Sequence, residues 1–452
     1  MRLAPLLAPD IEETLRQNPA HAAELAEELH AADLAEVVEG LKDETAVAMI
    51  GTLPHETAAA TLDAMDHGRR LELFQLLERG LAARIAELMS ADERADLFQE
   101  LPEEIRGDVL ARMAKEESRD VRDLIQYPES SAGGLMTTDY VALSPDLVVE
   151  RAIAEVRRTA EEKETIYEAY AVDPNGILVG AISLRDLIVA RAGQTVAAIM
   201  NPDVVSVLPE TDQEEVAQVF QHYGFLALPV VDANRKILGI VTVDDVVAVM
   251  KEEQVEDIER LGAVNPTETP YFETGFWTFV GKRAGWLVAL FIGGILTATA
   301  LEHYSWATRM EAAITVFLPL IISSGGNTGS QSSSIVIRGM ALGEFGVGDA
   351  VRILWRELRL GLTLGVFLGV IGFLRAAFVG SSGGGGMAMA VGVAVVACVS
   401  FGAVVGAALP LLIRRLGFDP ALSSGPFIAS VVDVLGIVIY VQTAIWVMGL
   451  SP

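Results

Sequence analysis

Residues 419–436 read DPALSSGPFIASVVDVLG, and Asp433 near the end of that stretch stands inside a long apolar run. A carboxylate at membrane depth costs roughly 3 kcal/mol on insertion scales, so such a side chain normally faces a bundle interior or a water path. The other acids of residues 276–452 fall at or beyond the ends of the apolar segments, where water is expected to reach them. Asp433 is therefore read as a group that meets a cation or a proton.

Working outward, five segments of about 20 residues or more, roughly 280–301, 312–336, 358–380, 387–413 and 424–448, are long enough to span hydrocarbon. Lys282, Arg283, Arg338, Arg352, Arg356, Arg359, Arg414 and Arg415 lie on one side of them, and Arg309 and Arg375 on the other. The positive-inside rule then places the amino terminus in the cytoplasm and the carboxyl terminus outside. In the second segment Pro319 is followed by Ser323-Ser324-Gly325-Gly326-Asn327-Thr328-Gly329-Ser330-Gln331. In the fifth, Ser423, Ser424, Gly425 and Pro426 precede Asp433. Polar, glycine-rich backbone at membrane depth is tolerated only in protein or beside water, so two interrupted helices around an ion site are expected. The structural alternative is a kink with a hydrogen-bonded Asp433. Gly361, Gly365 and Gly369, then Gly402 and Gly406, suit close helix contacts, either within the chain or at a dimer seam.

The preceding residues are of another kind. Up to Gly275 there are 54 Asp and Glu against 23 Lys and Arg, a balance that argues against nucleic acid and for cations as partners. The start, MRLAPLLAPDIEET, lacks a basic leader and a sufficient apolar run for a signal peptide, so this half is expected in the cytoplasm. With only Cys398, disulfides and thiolate metal sites are excluded. Residues 1–130 read as short amphipathic helices with a 48-residue echo (Leu53-Pro54 and Leu101-Pro102) and a half-step of 24 (Leu73-Phe74 and Leu97-Phe98), a solenoid pattern. Most acids there are expected to be solvated, and His21, His30, His55 and His67 show no metal spacing.

Residues 135–252 hold a clearer duplication. YAVDPNGILVGAISLRDLIVA is echoed by LPVVDANRKILGIVTVDDVVAV, with Gly180 and Gly239 in register 59 apart. Each copy reads strand, helix, strand, turn, strand, helix. This resembles a tandem pair of cystathionine-β-synthase (CBS) motifs. The resemblance gives Ser183 with Asp186, and Thr242 with Asp245, as a possible nucleotide site, hydroxyl to phosphate and carboxylate to ribose. Residues 244–264 read as one acidic amphipathic helix, apolar at Val246, Val249, Met250, Ile258 and Leu261. Tyr271, Phe272, Phe276 and Trp277 follow as an interfacial aromatic cluster.

The order of parts, together with GGNTGSQ after Pro319 and PALSSGPFIASVVDVLG, resembles the MgtE family of magnesium channels; Ser430 departs from the family's usual Thr. The resemblance covers essentially the whole chain. It implies a multidomain membrane protein: an acidic all-α solenoid-like domain (1–130), an α/β tandem CBS pair (131–243), an acidic connecting, or plug, helix (244–264) and a five-helix transmembrane pore domain (271–452). It implies a non-enzymatic, homodimeric, multi-pass protein of the cell (inner) membrane that takes up Mg2+ down its electrochemical gradient. Asp433 is then the selectivity residue, with Ala429, Gly325, Gly326, Asn327, Gly329, Gln331, Pro426 and Gly436 around it. Sensor roles carry to Asp92, Asp96, Asp212, Glu214, Asp245, Glu253, Glu256, Asp257 and Asp419. Two carboxylates about 6 Å apart repel by roughly 3 kcal/mol at an effective dielectric of 20, so cytoplasmic Mg2+ should compact the acidic half and close the pore. ATP or another adenosine nucleotide is the implied ligand of the CBS pair.

Other readings are a carrier for Co2+, Mn2+ or Ni2+, a nucleotide-sensing membrane receptor that carries nothing, and an intramembrane hydrolase. The last needs paired carboxylates, which only a dimer axis could make of Asp433, or a histidine near Ser423 or Ser424. His303 lies in an outer loop.

Overall fold

The structure, a computed structural model, describes residues 14, 29–160, 163–267, 271–272, 274–379 and 384–450. The chain start read above for a leader, with His21, lies outside them. The chain forms two compact units, Met1–Lys251 and Glu252–Pro452.

The first unit opens with eight short helices: α1 (Ala31–Glu39), α2 (Asp43–Thr52), α3 (His55–Asp63), α4 (His67–Leu76), α5 (Arg79–Ala86), α6 (Ala91–Glu100), α7 (Glu103–Leu110) and α8 (Lys115–Leu124). Their apolar faces share one core, in which Leu34, Ile50, Leu62, Phe74, Ile85, Phe98 and Val109 are fully buried. The 24-residue step is built in hydrogen bonds. Glu39 accepts from the amide of Asp66, Asp63 from that of Ser90, and Glu87 from that of Ala114. Two buried arginines repeat the same step, Arg70 pairing with Glu93 and Arg94 with Glu117 and Asp120. Each rung thus satisfies a helix-start donor or a buried cation of its neighbour.

The α/β part follows: β1 (Val141–Leu143), α9 (Val149–Thr159), β2 (Glu168–Val172), β3 (Leu178–Ser183), α10 (Leu184–Val189), α11 (Val196–Ile199), α12 (Gln213–Tyr223), β4 (Ala227–Val231), β5 (Ile237–Thr242) and α13 (Val243–Leu261). β1 runs parallel to β2, and β2–β3 and β4–β5 are antiparallel hairpins with Ala171 facing Gly180 and Val230 facing Gly239. The two turns match. Asp173 accepts from the amides of Asn175 and Ile177, and Asp232 from those of Asn234 and Lys236. Gly176 takes φ 83°, and Arg235 holds the equivalent left-handed place at φ 63°. One expected strand is missing: the second copy's first strand is reduced to a single parallel bridge, Val207 to Val230. In α13, Val246 and Val249 are buried, whereas Met250 and Ile258 are exposed, so only the first part of the expected apolar face is covered.

The second unit is helical: α14 (Phe276–His303), α15 (Ser305–Met310), α16 (Ala313–Ala341), α17 (Ala350–Val379), α18 (Gly384–Arg415) and α19 (Gly425–Met448). Among the described residues four helices are long and apolar enough to cross a membrane, and they contain the first, third, fourth and fifth expected spans. The second span forms α16, 29 residues long. Its polar middle keeps its hydropathy lower.

Here the sequence expectation fails in an informative way, because α16 is not interrupted. It runs unbroken through Ser323–Gln331, with Pro319 inside it. Of its hydroxyls, Ser324 bonds to Leu320 O and Thr328 to Ser324 O within the helix, whereas Ser330 reaches Gly425 O outside it. Its glycines serve packing. A Cβ on Gly402 of α18 would strike the carbonyl of Gly325, and one on Gly406 that of Gly329. Gly361, Gly365 and Gly369 of α17 lie equally close to α18 at Ser400, Val396 and Gly392, so both glycine rows are packing within the chain. The fifth span is likewise continuous from Gly425, with Ser424 as its N-cap and Pro426 in its first turn.

Candidate ion site and cation-sensing cluster

Asp433 lies on α19, three residues before buried Gly436, and is half-buried. It opens on a cavity of about 450 Å³ lined by Thr297 of α14, Leu318, Pro319, Ile322, Ser323, Gly326 and Asn327 of α16, and Ala429 and Ile437 of α19. The two polar stretches singled out in the sequence therefore meet there. At Gly326 an added Cβ would stand 3.5 Å from Ala429 Cβ and 3.8 Å from an Asp433 carboxylate oxygen, ordinary contact distances that place this position beside both residues. The neighbouring amide of Asn327 donates to Ser323 Oγ at 3.4 Å. Among the described residues Asp433 has no hydrogen-bond or ion-pair partner, so it is not the satisfied carboxylate of a structural kink.

The remaining pore candidates are placed differently. Gly325 and Gly329 pack against both α18 and α19, and Gly436 receives the thiol of Cys398 on its carbonyl, so these three are packing positions and not cavity-lining ones. Gln331 and Pro426 are exposed. Thr297, on a helix with no buried residue, is a lining group that sequence spacing did not mark.

One expectation about acids is overturned. Glu357, placed by the sequence at the watery end of a span, is 7 % exposed and accepts a hydrogen bond from Ser332 Oγ. Its helix starts at Ala350, so a residue outside the apolar window is still inside the packing.

In the first unit the acids are also less solvated than expected. Asp92 is 8 % exposed, and one oxygen each of Asp63, Asp92 and Asp96 is buried without a hydrogen-bond partner. Desolvation pushes Asp63 and Asp96 up to about 8, Asp92 to about 6, Glu164 to about 7 and Asp245 to about 8. After desolvation, the next contribution raising Asp92 is the charge of Glu93; for Asp245 and Glu164 it is that of Asp92. Helix α6 and the α/β part thus present carboxylates to each other. Glu164 and Asp63 belong to this group, and no sequence motif marks either one. Among the described residues no three His, Cys, Asp or Glu side chains close on one point to hold a metal ion.

The other sensor candidates are dispersed. Asp212 caps α12 by accepting from the amide of Glu214 at 2.9 Å. In the second unit, Glu256 and Asp419 both pair with Arg260, and Asp419 also accepts from the amide of Ala421 at 2.8 Å. Glu253 and Asp257 lie on α13 beside Glu256. The two nucleotide motifs diverge as well. Ser183 donates to Asp186 at 2.6 Å with Asp186 exposed, whereas Thr242 donates to Asp245 within the acidic cluster.

Residues 318–443 match the family model MgtE, a divalent cation transporter; residues 29–130 match the MgtE intracellular N domain, and 132–193 and 196–252 match CBS domains. The chain is 43 % identical over 325 residues to a magnesium transporter MgtE of Thermus thermophilus, covering 72 % of each. A magnesium transporter MgtE of Enterococcus faecalis is 34 % identical, covering 73 % of this chain and 72 % of its own. Among solved structures, the cytosolic domain of the Mg2+ channel MgtE in complex with ATP aligns at 40 % identity and TM-score 0.51, over 54 % of this chain and all of that one. The soluble part of a magnesium transporter aligns at 31 % identity and TM-score 0.52, over 55 % of this chain and 99 % of that one.

The raised carboxylates fix a sign. Their folded values lie above the unfolded range near 4, so their burial costs nothing at low pH and costs progressively more as pH rises toward about 8. In chelator, the thermal midpoint of the first unit, followed in the intact chain in detergent, is expected to fall between pH 5.5 and pH 8. Millimolar Mg2+ should flatten that slope; a midpoint that rises with pH in chelator contradicts the buried cluster.

Proposed function

The chain belongs to the MgtE family of divalent cation transporters, and on that premise we propose that it is a Mg2+ channel gated shut by the ion it admits. The observation that carries this reading is Asp433, open to a cavity between α16 and α19 and, among the described residues, bound by no protein donor. Mg2+ gives up water reluctantly and is held by few carboxylates through retained waters. A single Asp433, with backbone carbonyls near Ala429 and the Asn327 amide beside it, supplies such an outer-sphere site. In a homodimer the site would be doubled about the axis. Residues 271–452 are the pore on this reading, set in the cell (inner) membrane with the amino terminus cytoplasmic and the carboxyl terminus outside. Flow is inward under an inside-negative potential. A preference for Co2+, Mn2+ or Ni2+ is the rival within transport.

Growth of a Mg2+-uptake-deficient strain tests it. The wild-type chain should rescue, and Asp433→Ala should not; equal rescue by both rejects the assignment.

Gating is assigned to the acidic half. Residues 1–130 and 131–243 are the sensor, and 244–264 the connecting helix whose position follows the ion. The buried, unpartnered oxygens of Asp63, Asp92 and Asp96, with Glu164 and Asp245 nearby, form a carboxylate group that burial pushes toward its protonated form and that a divalent ion would hold ionised instead. Asp212, Glu214, Glu253, Glu256, Asp257 and Asp419 extend that charge. Replacing Glu253, Glu256 and Asp257 together by their amides should raise the Mg2+ concentration needed to close the pore in liposome flux; an unchanged closing concentration removes α13 from the sensor.

An adenosine nucleotide, ATP in the first instance, is assigned to the Ser183–Asp186 motif and not to Thr242–Asp245. Asp186 is exposed and free to meet ribose hydroxyls, while Asp245 lies among acids that repel phosphate. Calorimetric titration of ATP should lose its binding heat in Asp186→Ala; binding as tight as wild type would exclude this motif.

A further inference from the structure

Glu357 is a buried carboxylate that the ion pathway does not use. No lysine, arginine or histidine pairs with it among the described residues, although Arg356 and Arg359 on the same helix are exposed. Its hydrogen-bond partner is Ser332 of α16, whose Oγ donates to Oε2 at 2.7 Å. A carboxylate removed from water is costly unless bonded, and a hydroxyl-to-carboxylate bond is among the stronger directional contacts a helix can make.

Two further hydroxyls of the same turn reach a second element. Ser330 Oγ donates to Gly425 O and Ser333 Oγ to Ser423 O, each at 3.1 Å. The latter bond is wholly buried, and Ser423 itself is fully buried. Elsewhere α16 meets its neighbours through glycines at Gly325, Gly326 and Gly329 and through apolar side chains such as Phe317, Ile321 and Val336. Such contacts allow close packing but carry no directional side-chain hydrogen bond between the helices. Fixation therefore falls to this one turn, which bonds to α17 in one direction and to the start of α19 in another. It lies immediately after Asn327, which lines the cavity opposite Asp433.

We infer that Ser332 and Glu357, with Ser330 and Ser333, are positioning residues that fix where Asn327 stands relative to Asp433 and thereby set which hydrated cation passes. The inference rests on the transport reading above. Glu357 touches no ion. It holds the wall that does.

The test is the ratio of Mg2+ to Co2+ flux through the full-length chain in liposomes, since loss of folded protein lowers both fluxes together and leaves their ratio alone. Ser332→Ala and Glu357→Ala should each shift the ratio by roughly threefold, the scale of one hydrogen bond. Glu357→Gln, whose amide oxygen still accepts from Ser332, should keep the wild-type ratio. If Glu357→Ala fails to assemble, Ser330→Ala and Ser333→Ala carry the same expectation through the other contact. Equal loss of both fluxes at an unchanged ratio overturns the inference, as does a Glu357→Gln ratio shifted as far as that of Glu357→Ala. A wild type that passes neither ion overturns the transport reading first, and this inference with it.

Discussion

A carboxylate must be kept wet in the middle of an apolar bundle, and most features of the second unit answer to that constraint. On the transport reading Asp433 stays available to an ion only if no neighbouring side chain satisfies it, and facing lipid would be costly. The cavity beside it is lined by Pro319, Ser323, Gly326 and Asn327 of α16 and Ala429 of α19, while Gly325 and Gly329 of α16 pack closely on both α18 and α19. The serine and threonine hydroxyls in the same run either fold back on their own helix or bond to neighbouring elements, so a polar sequence becomes a continuous rod without orphaned groups.

Carboxylates are used in two physically opposite ways. Asp433 stands alone, and a lone charge holds an ion loosely enough to let it go. In the first unit Asp92, Asp96, Asp245 and Glu164 stand within reach of one another and out of water, so each raises the proton affinity of the next. Such a group is unfavourable as it stands and becomes favourable when something positive arrives. In the second unit Glu256 and Asp419 show the resolved version of the same problem, with Arg260 between them.

Local chemistry was legible in the sequence where it is local in the structure. The hairpin turn at Asp173–Gly176 and its echo at Asp232–Arg235 form as their residues dictate, and the intramembrane carboxylate marked its own cavity. Long-range compensation was not legible. A glycine-rich run reads as broken helix unless the glycines of α18, some 77 residues away at Gly402 and Gly406, are known to lie against it. Glu357 looked solvated because the hydroxyl that receives it is 25 positions earlier. Asp63 and Glu164 carry no motif; the stacking of solenoid helices brings Asp63 to Asp92 and Glu93, and the packing of the solenoid on the α/β part brings Glu164 to Asp92.

The ladder in the first unit has a consequence for length. Its rungs join residues at one fixed separation, Glu39, Asp63 and Glu87 each to an amide 27 positions on, and Arg70 and Arg94 each to a glutamate 23 positions on. Excising or duplicating a whole step of the repeat hands every donor a new acceptor of the same kind, whereas any other change leaves all downstream rungs facing the wrong chemistry. The domain's size is therefore quantised, and it can grow or shrink only by complete steps.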